Sequence, residues 1–263
     1  MHFDQVSTYI KTVVKKGKED RQRFTYSRGI GLYPLSSQSK NKVYYNKDLK
    51  INIESMESYN TYEIEVIEPV MEFGSEIRKA EDFHRRLNYK YDWIHVERSS
   101  NGKITDVGNL KELRTNWNLL KERVERDYEG VAVDKYLNGI SDRFVRDEHF
   151  KSIFSQYNEY GLLFPVVPKK HRNDWNMQRI ITLDDNEKSE LVETITFVNE
   201  DEEFRIYDLK LDRNETSSIN IIESAGEIVL SKKDNLIESV DVSVKYFYDE
   251  IINNEWVFML KRV

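Results

Sequence analysis

Between residues 110 and 124 the chain carries a pattern that sets a definite packing problem. Leu110, Leu113, Trp117, Leu120 and Val124 recur at alternating spacings of three and four, with Lys111, Glu112, Arg114, Lys121, Glu122 and Glu125 between them. An α-helix of about 3.6 residues per turn gathers the first set on one face and the second on the other. An apolar stripe of that size has to be buried against another element. Asn109 stands where an N-cap is expected, and Gly130 breaks the pattern.

The flanks supply the partner surface. Val6, Thr8, Ile10, Thr12 and Val14 alternate with Ser7, Tyr9, Lys11 and Val13, which reads as a half-buried strand. Lys15–Arg23 is read as a charged tip and Phe24–Tyr26 as a short strand. Val43–Tyr45 and Leu49–Ile53 read as a hairpin across Asn46–Asp48. Tyr62–Glu68 alternates again until Pro69, where regular pairing is expected to end. Ser75–Arg86 fits a short helix. Tyr89–Glu97 and Lys103–Val107 read as two strands joined at Asn101-Gly102, a strong hairpin signal. After the 110–124 stripe, Asp134–Ile140 and Arg143–Tyr157 give further helical runs, with Phe144, Ile153, Phe154 and Tyr157 as core candidates. From Leu191 onward six β-branched or aromatic runs are separated by polar turns, the pattern of an antiparallel meander.

The order of strands, helices and strands predicts an α+β fold. Its main element is a curved antiparallel β-sheet, half-barrel or barrel-like, with a central helical block packed on one face. Ten Gly and four Pro in 263 residues mark no linker, so the expectation is a single domain over 1–263. The alternative is a mixed domain over 1–165 followed by a β-meander domain over 166–263.

Composition excludes several chemistries. With no cysteine, a disulfide scaffold, a thiol nucleophile, a Cys-ligated zinc and an iron–sulfur cluster are all ruled out. A net charge of −7 does not suit a nucleic-acid binder, which needs a basic surface. The longest apolar runs are too short to span a bilayer, and Met1–Val14 has no apolar leader core. The expected location is the cytoplasm, or the exterior for a mature protein whose leader has been removed.

No catalytic motif stands out. The five histidines, at 2, 84, 95, 149 and 171, include no pair three or four apart, so no helical metal pair exists and no metal or cofactor is expected. Asp147-Glu148-His149 does not converge on a helix, where neighbours point about 100° apart. Ser37 and Lys40 match Ser-x-x-Lys but lack its companion motifs. Gly29 and Gly31 lack the third glycine of a phosphate loop. The paired carboxylates at 184–185 and 200–203 fall in turns.

A partner or ligand surface is expected near Trp93 and His95, and at Leu162 and Phe164 in the apolar run Leu162–Val167, which reads either as a buried strand or as part of that surface. Beside that run lies a basic patch containing Lys169, Lys170 and Arg172, then Trp175. Aromatic and Arg residues are enriched where proteins meet. The leading expectation is a non-catalytic protein-binding module of the adaptor, chaperone or immunity type, with a protein partner and unknown oligomeric state. The alternative is a carrier holding an apolar small molecule or lipid in a cavity between sheet and helices, near Trp93, Trp117 and Phe144. A third class is an enzyme of unrecognised type using His95 and a nearby carboxylate.

Overall fold

A computed structural model describes residues 10–15, 19–34, 41–55, 59–73, 78–99, 102–157, 159–168, 176–183, 190–248 and 252–262. Among these the chain is α+β with antiparallel sheets. The strands are β1 (Ile10–Lys15), β2 (Glu19–Pro34), β3 (Asn41–Ser55), β4 (Tyr59–Phe73), β5 (Trp93–Ser99), β6 (Ile104–Val107), β7 (Asn176–Thr182), β8 (Glu190–Glu200), β9 (Phe204–Arg213), β10 (Ile219–Ser231), β11 (Ile237–Tyr248) and β12 (Ile252–Arg262). Four helices lie in the middle: α1 (Arg78–Leu87), α2 (Leu110–Asp127), α3 (Val131–Val145) and α4 (Asp147–Ile153). Strands β6-β5-β4-β3 form one antiparallel run of four, and β12-β11-β10-β9-β8-β7 another of six. They are joined through β1, parallel to β3, and β2, antiparallel to β12. The end strands β6 and β7 are not paired with each other among the described residues, so no closed barrel forms.

Period-two patterning places the core. Leu49, Ile51 and Ile53 on β3 stand opposite Val66, Ile64 and Tyr62 on β4, and Ile64 and Tyr62 stand opposite Ile94 and Val96 on β5; all are buried. The second run repeats this with Ile195, Leu209, Tyr207, Ile228, Val240, Val242, Phe258 and Leu260. At Gly226 the ladder needs a glycine: a Cβ there would sit 2.9 Å from the Asp241 carbonyl oxygen and 3.3 Å from Leu209 Cβ. Both faces belong to one apolar cluster, together with Leu113, Trp117, Val124 and Phe144.

The helical stripe is buried at Leu113, Trp117 and Val124 and half-buried at Leu110 and Leu120. The Trp117 and Phe144 rings stack at 5.3 Å, Phe144 stacks on Tyr91 at 5.4 Å, and Phe150 meets Phe144 edge-on at 5.2 Å. The Trp117 indole N–H donates to Ser141 Oγ at 3.1 Å, which satisfies its only donor. The core candidates Phe144, Ile153, Phe154 and Tyr157 are all buried.

Several local readings are corrected: two of the six expected late runs join into the single strand β10, and the expected tip Lys15–Arg23 runs into β2. The segment 41–55 is one strand, not a hairpin: the turn-prone Asn46–Asp48 coincides with a bulge at which Ile67 and Glu68 of β4 stand opposite the single Asp48. That bulge lets β4 continue past Pro69, which has no ladder N–H to give. Residues Asn88–Tyr91 form a 3-10 turn, so β5 begins only at Trp93. Asn109 precedes α2, but its amide does not cap the helix. It accepts from the His95 N–H at 2.9 Å and donates to the Trp93 carbonyl at 2.8 Å, fixing α2 to the β5 backbone.

Trp117→Ala removes the middle of the ring stack and strands the space it filled. The expected loss is about 3–5 kcal/mol, read as a lower urea midpoint with an unchanged slope. A midpoint equal to the parent's would place the stripe in solvent.

Candidate functional site

The connector from Ser155 to Val167 is where the structure concentrates its buried polar groups. It begins with a short strand-like exchange: the Tyr157 N–H donates to the Thr182 carbonyl at 2.9 Å, and the Thr182 N–H donates to the Ser155 carbonyl at 3.2 Å. It then turns tightly, with the Gly161 N–H donating to the Gln156 carbonyl at 2.8 Å. A Cβ at Gly161 would lie 2.8 Å from that same carbonyl, so the turn requires glycine.

Two ion pairs hold the connector. Glu193 of β8 points into the core and is 1% exposed. It accepts from the Tyr157 hydroxyl and from Arg179 Nε at 2.5 Å and Nη2 at 3.0 Å. The remaining Arg179 contacts are to the connector backbone, Nη1 to the Phe164 carbonyl at 2.7 Å and Nη2 to the Gly161 carbonyl at 2.9 Å. Burial, reinforced by the Glu193 charge, pushes the Tyr157 phenol far above its ordinary range, so it stays a neutral donor. Burial works against the Arg179 charge, but the Glu193 carboxylate outweighs it and the guanidinium stays protonated. On the other side, Lys90 donates to Glu159 at 2.6 Å with both side chains buried, and the Tyr160 hydroxyl donates to the Tyr91 carbonyl at 2.5 Å.

These ties place Leu162 and Phe164, 3% and 2% exposed, in the interior rather than on a surface. As anchors for a folded partner they are out of reach. Phe164 instead packs edge-on against Tyr62 at 5.2 Å and Phe154 at 5.4 Å. It also lines a cleft of about 70 Å³, together with Ile51, Ile53, Tyr62, Arg98, Leu163, Pro165, Val167, Leu230, Asn235, Leu236 and Ile237. The cleft thus draws on β3, β4 and β5 on one side and on β10 and β11 on the other. Asn235 takes a left-handed conformation (φ 59°), which Asn tolerates. It closes the β10–β11 turn, after which Leu236 and Ile237 reach the cleft. The Phe164 segment and the polar turn at Lys232–Asn235 are each legible in the sequence, but their meeting with β3 and β4 around one cleft is a long-range contact that no local pattern carries. Lys169, Lys170, Arg172 and Trp175 lie outside the described residues.

Trp93 and His95 point away from the core. They share the opposite face of the sheet with Glu63 and Glu65, their cross-strand partners on β4. The Trp93 indole N–H donates to Glu63 Oε1 at 2.9 Å, and His95 Nε2 lies 3.5 Å from the same oxygen. The rings of Trp93 and His95 meet edge-on at 4.5 Å. This is the His–carboxylate pair that an enzymatic reading needs, although Glu63 Oε1 already accepts the Trp93 proton. No group of three or more His, Asp or Glu that could hold a metal occurs among the described residues. The space expected between Trp93, Trp117 and Phe144 is not a pocket shared by the three. Trp117 and Phe144 fill it with their own stacked rings, and Trp93 lies on the other side of β5.

No helix among the described residues is long and apolar enough to cross a membrane. No protein-family model matches this sequence, and no curated protein matches it.

Two substitutions check the electrostatics. Glu193→Gln leaves a guanidinium in the interior without its counter-charge, and about 3–5 kcal/mol of stability should be lost in urea unfolding; a loss under about 1 kcal/mol would mean the pair is solvated. Asp92, whose Oδ1 is buried without a partner among the described residues, has its carboxyl raised by burial, with Glu65 adding to the effect. A raised folded value weakens folding as pH climbs through the window between the ordinary carboxylate value and the raised one. Asp92→Asn should therefore melt above the parent at neutral pH, with the gap closing in acid. A gap independent of pH would contradict this assignment.

Proposed function

We propose that this chain is a non-catalytic binding protein that holds an apolar small molecule in the cleft against Phe164. In this reading the twelve-stranded order curves around the connector, the helical block lies across one face, and the cleft opens where the two runs of strands approach each other. The observation that carries it is the lining: side chains from five strands, the β10–β11 turn and the connector converge on one concave apolar surface. Ligand sites are usually preformed, concave and mostly apolar, with a few placed polar groups. By contrast, the buried charges at Glu193, Arg179, Lys90 and Glu159 are engaged with one another and with backbone, which suits scaffolding better than turnover.

A second reading, a module that binds a protein partner, is favoured by β7. This strand ends the sheet, pairs with β8 and, only at Thr182, with the connector among the described residues, and exposes Ile180. An edge strand offers unpaired N–H and C=O groups to an incoming chain.

Nile red, a neutral apolar dye, separates the two. Titrated into the purified protein, it should brighten and saturate, and Val167→Trp, which fills the cleft mouth from a half-exposed position, should weaken binding about tenfold, the effect of losing roughly 1.4 kcal/mol. Native mass spectrometry should show mass above that of the bare chain. A dye that stays dark, or binds Val167→Trp as tightly as the parent, removes the cleft reading and leaves the edge strand.

A further inference from the structure

We infer that the cleft selects an amphiphile with a single anionic group, a monocarboxylate with an apolar tail, and that Arg98 is the residue that recognises its charge. This rests on the cleft reading and names the ligand class within it.

Among the described residues, Arg98 is held by backbone carbonyls rather than by a counter-charge. Its Nε donates to the Gly102 carbonyl at 3.1 Å and its Nη2 to the Pro165 carbonyl at 2.6 Å. Its guanidinium lies 5.8 Å from the Phe164 ring centre. These contacts hold the planar group against the cleft wall, but none of them is anionic, and among the described residues no carboxylate pairs with it. Three other partly buried arginines carry a counter-charge: Arg179 from Glu193, Arg262 from Asp234, and Arg86 from Asp82 and Asp127. Among the described residues, Arg98 Nη1 and the second Nη2 proton have no protein acceptor. A half-buried positive charge without a counter-charge is costly, and a guanidinium presents its donors as a fork that fits a carboxylate.

The rest of the lining decides what carries the anion. Ile53, Tyr62, Leu236 and Ile237 give an apolar surface, which repels a small hydrated anion such as free phosphate. A volume of about 70 Å³ has room for about five waters or a short run of methylenes. An apolar tail with a charged end satisfies both surfaces at once.

The probes are octanoate and octan-1-ol, equal in chain length and different in charge at neutral pH. Both are titrated against the intact ¹⁵N-labelled protein, with the Arg98 Nε–Hε resonance followed by NMR. Octanoate should bind about tenfold or more tightly than the alcohol, as one charge-assisted hydrogen bond requires, and should shift the Arg98 Hε signal where the alcohol does not. Arg98→Gln should abolish the preference for octanoate, so that the variant binds the two probes with equal affinity. Should that variant fail to fold, the comparison of the two ligands on the parent protein and the Arg98 Hε shift decide the matter alone. Equal affinities on the parent, or a preference for octanoate that leaves Arg98 Hε unmoved or persists in Arg98→Gln, overturn the role of Arg98 while leaving the cleft reading intact. No binding of either probe overturns both.

Discussion

The interaction on which the remaining structure depends is the buried carboxylate of Glu193 gripping Tyr157 and Arg179. Without it a loop of backbone from 157 to 164 would have to lie in the interior with its carbonyls unsatisfied, which costs more than most loops can bear. Arg179 resolves this by carrying two of those carbonyls itself, those of Gly161 and Phe164. A neutral donor could not hold a buried acid and two carbonyls together. The ion pair is worth little as attraction, since desolvation offsets much of it, but it fixes one geometry among many.

The same connector is tied from the other side by Lys90 with Glu159, by Tyr160 on the Tyr91 carbonyl, and by Arg98 on the Pro165 carbonyl. It therefore touches both runs of strands: Phe164 packs against Tyr62 of the four-stranded run, and Tyr157 meets Phe258 of the six-stranded run edge-on at 5.3 Å. Phe164 is held in place by its neighbours' hydrogen bonds as much as by its own packing. The proposed binding cleft is the space left beside it, so the clamp and the cleft are two consequences of one set of contacts.

Much of the fold class was legible because it follows local periodicity. The stripe through Trp117 and the alternation in β3, β4, β5 and the last five strands each show in a few residues, although two of the six expected runs join into the single strand β10 and β7 was not foreseen. What escaped was long-range or compensated. The bulge opposite Asp48 turns an apparent hairpin into one strand, and Asn109 serves the β5 backbone rather than the helix it precedes. Trp93 and His95 were picked out correctly as neighbours, but the parity that turns them off the core face depends on where β5 begins, and the 3-10 turn before it hides that. For the apolar run at 162–167 the sequence left open a buried segment or a surface. The deciding residues, Arg179 and Glu193, lie beyond it in the chain and carry no motif.

The most direct test of the cleft is where a bound molecule sits. Isotope-filtered NOE spectra of the methyl-labelled protein with octan-1-ol should give cross-peaks from the ligand chain to the methyl groups of Ile53, Leu236 and Ile237, and none to Val131 or Val145, which face solvent on α3. Cross-peaks to Ile180 on the β7 edge or to the α3 valines, with silence from the three cleft residues, would contradict it.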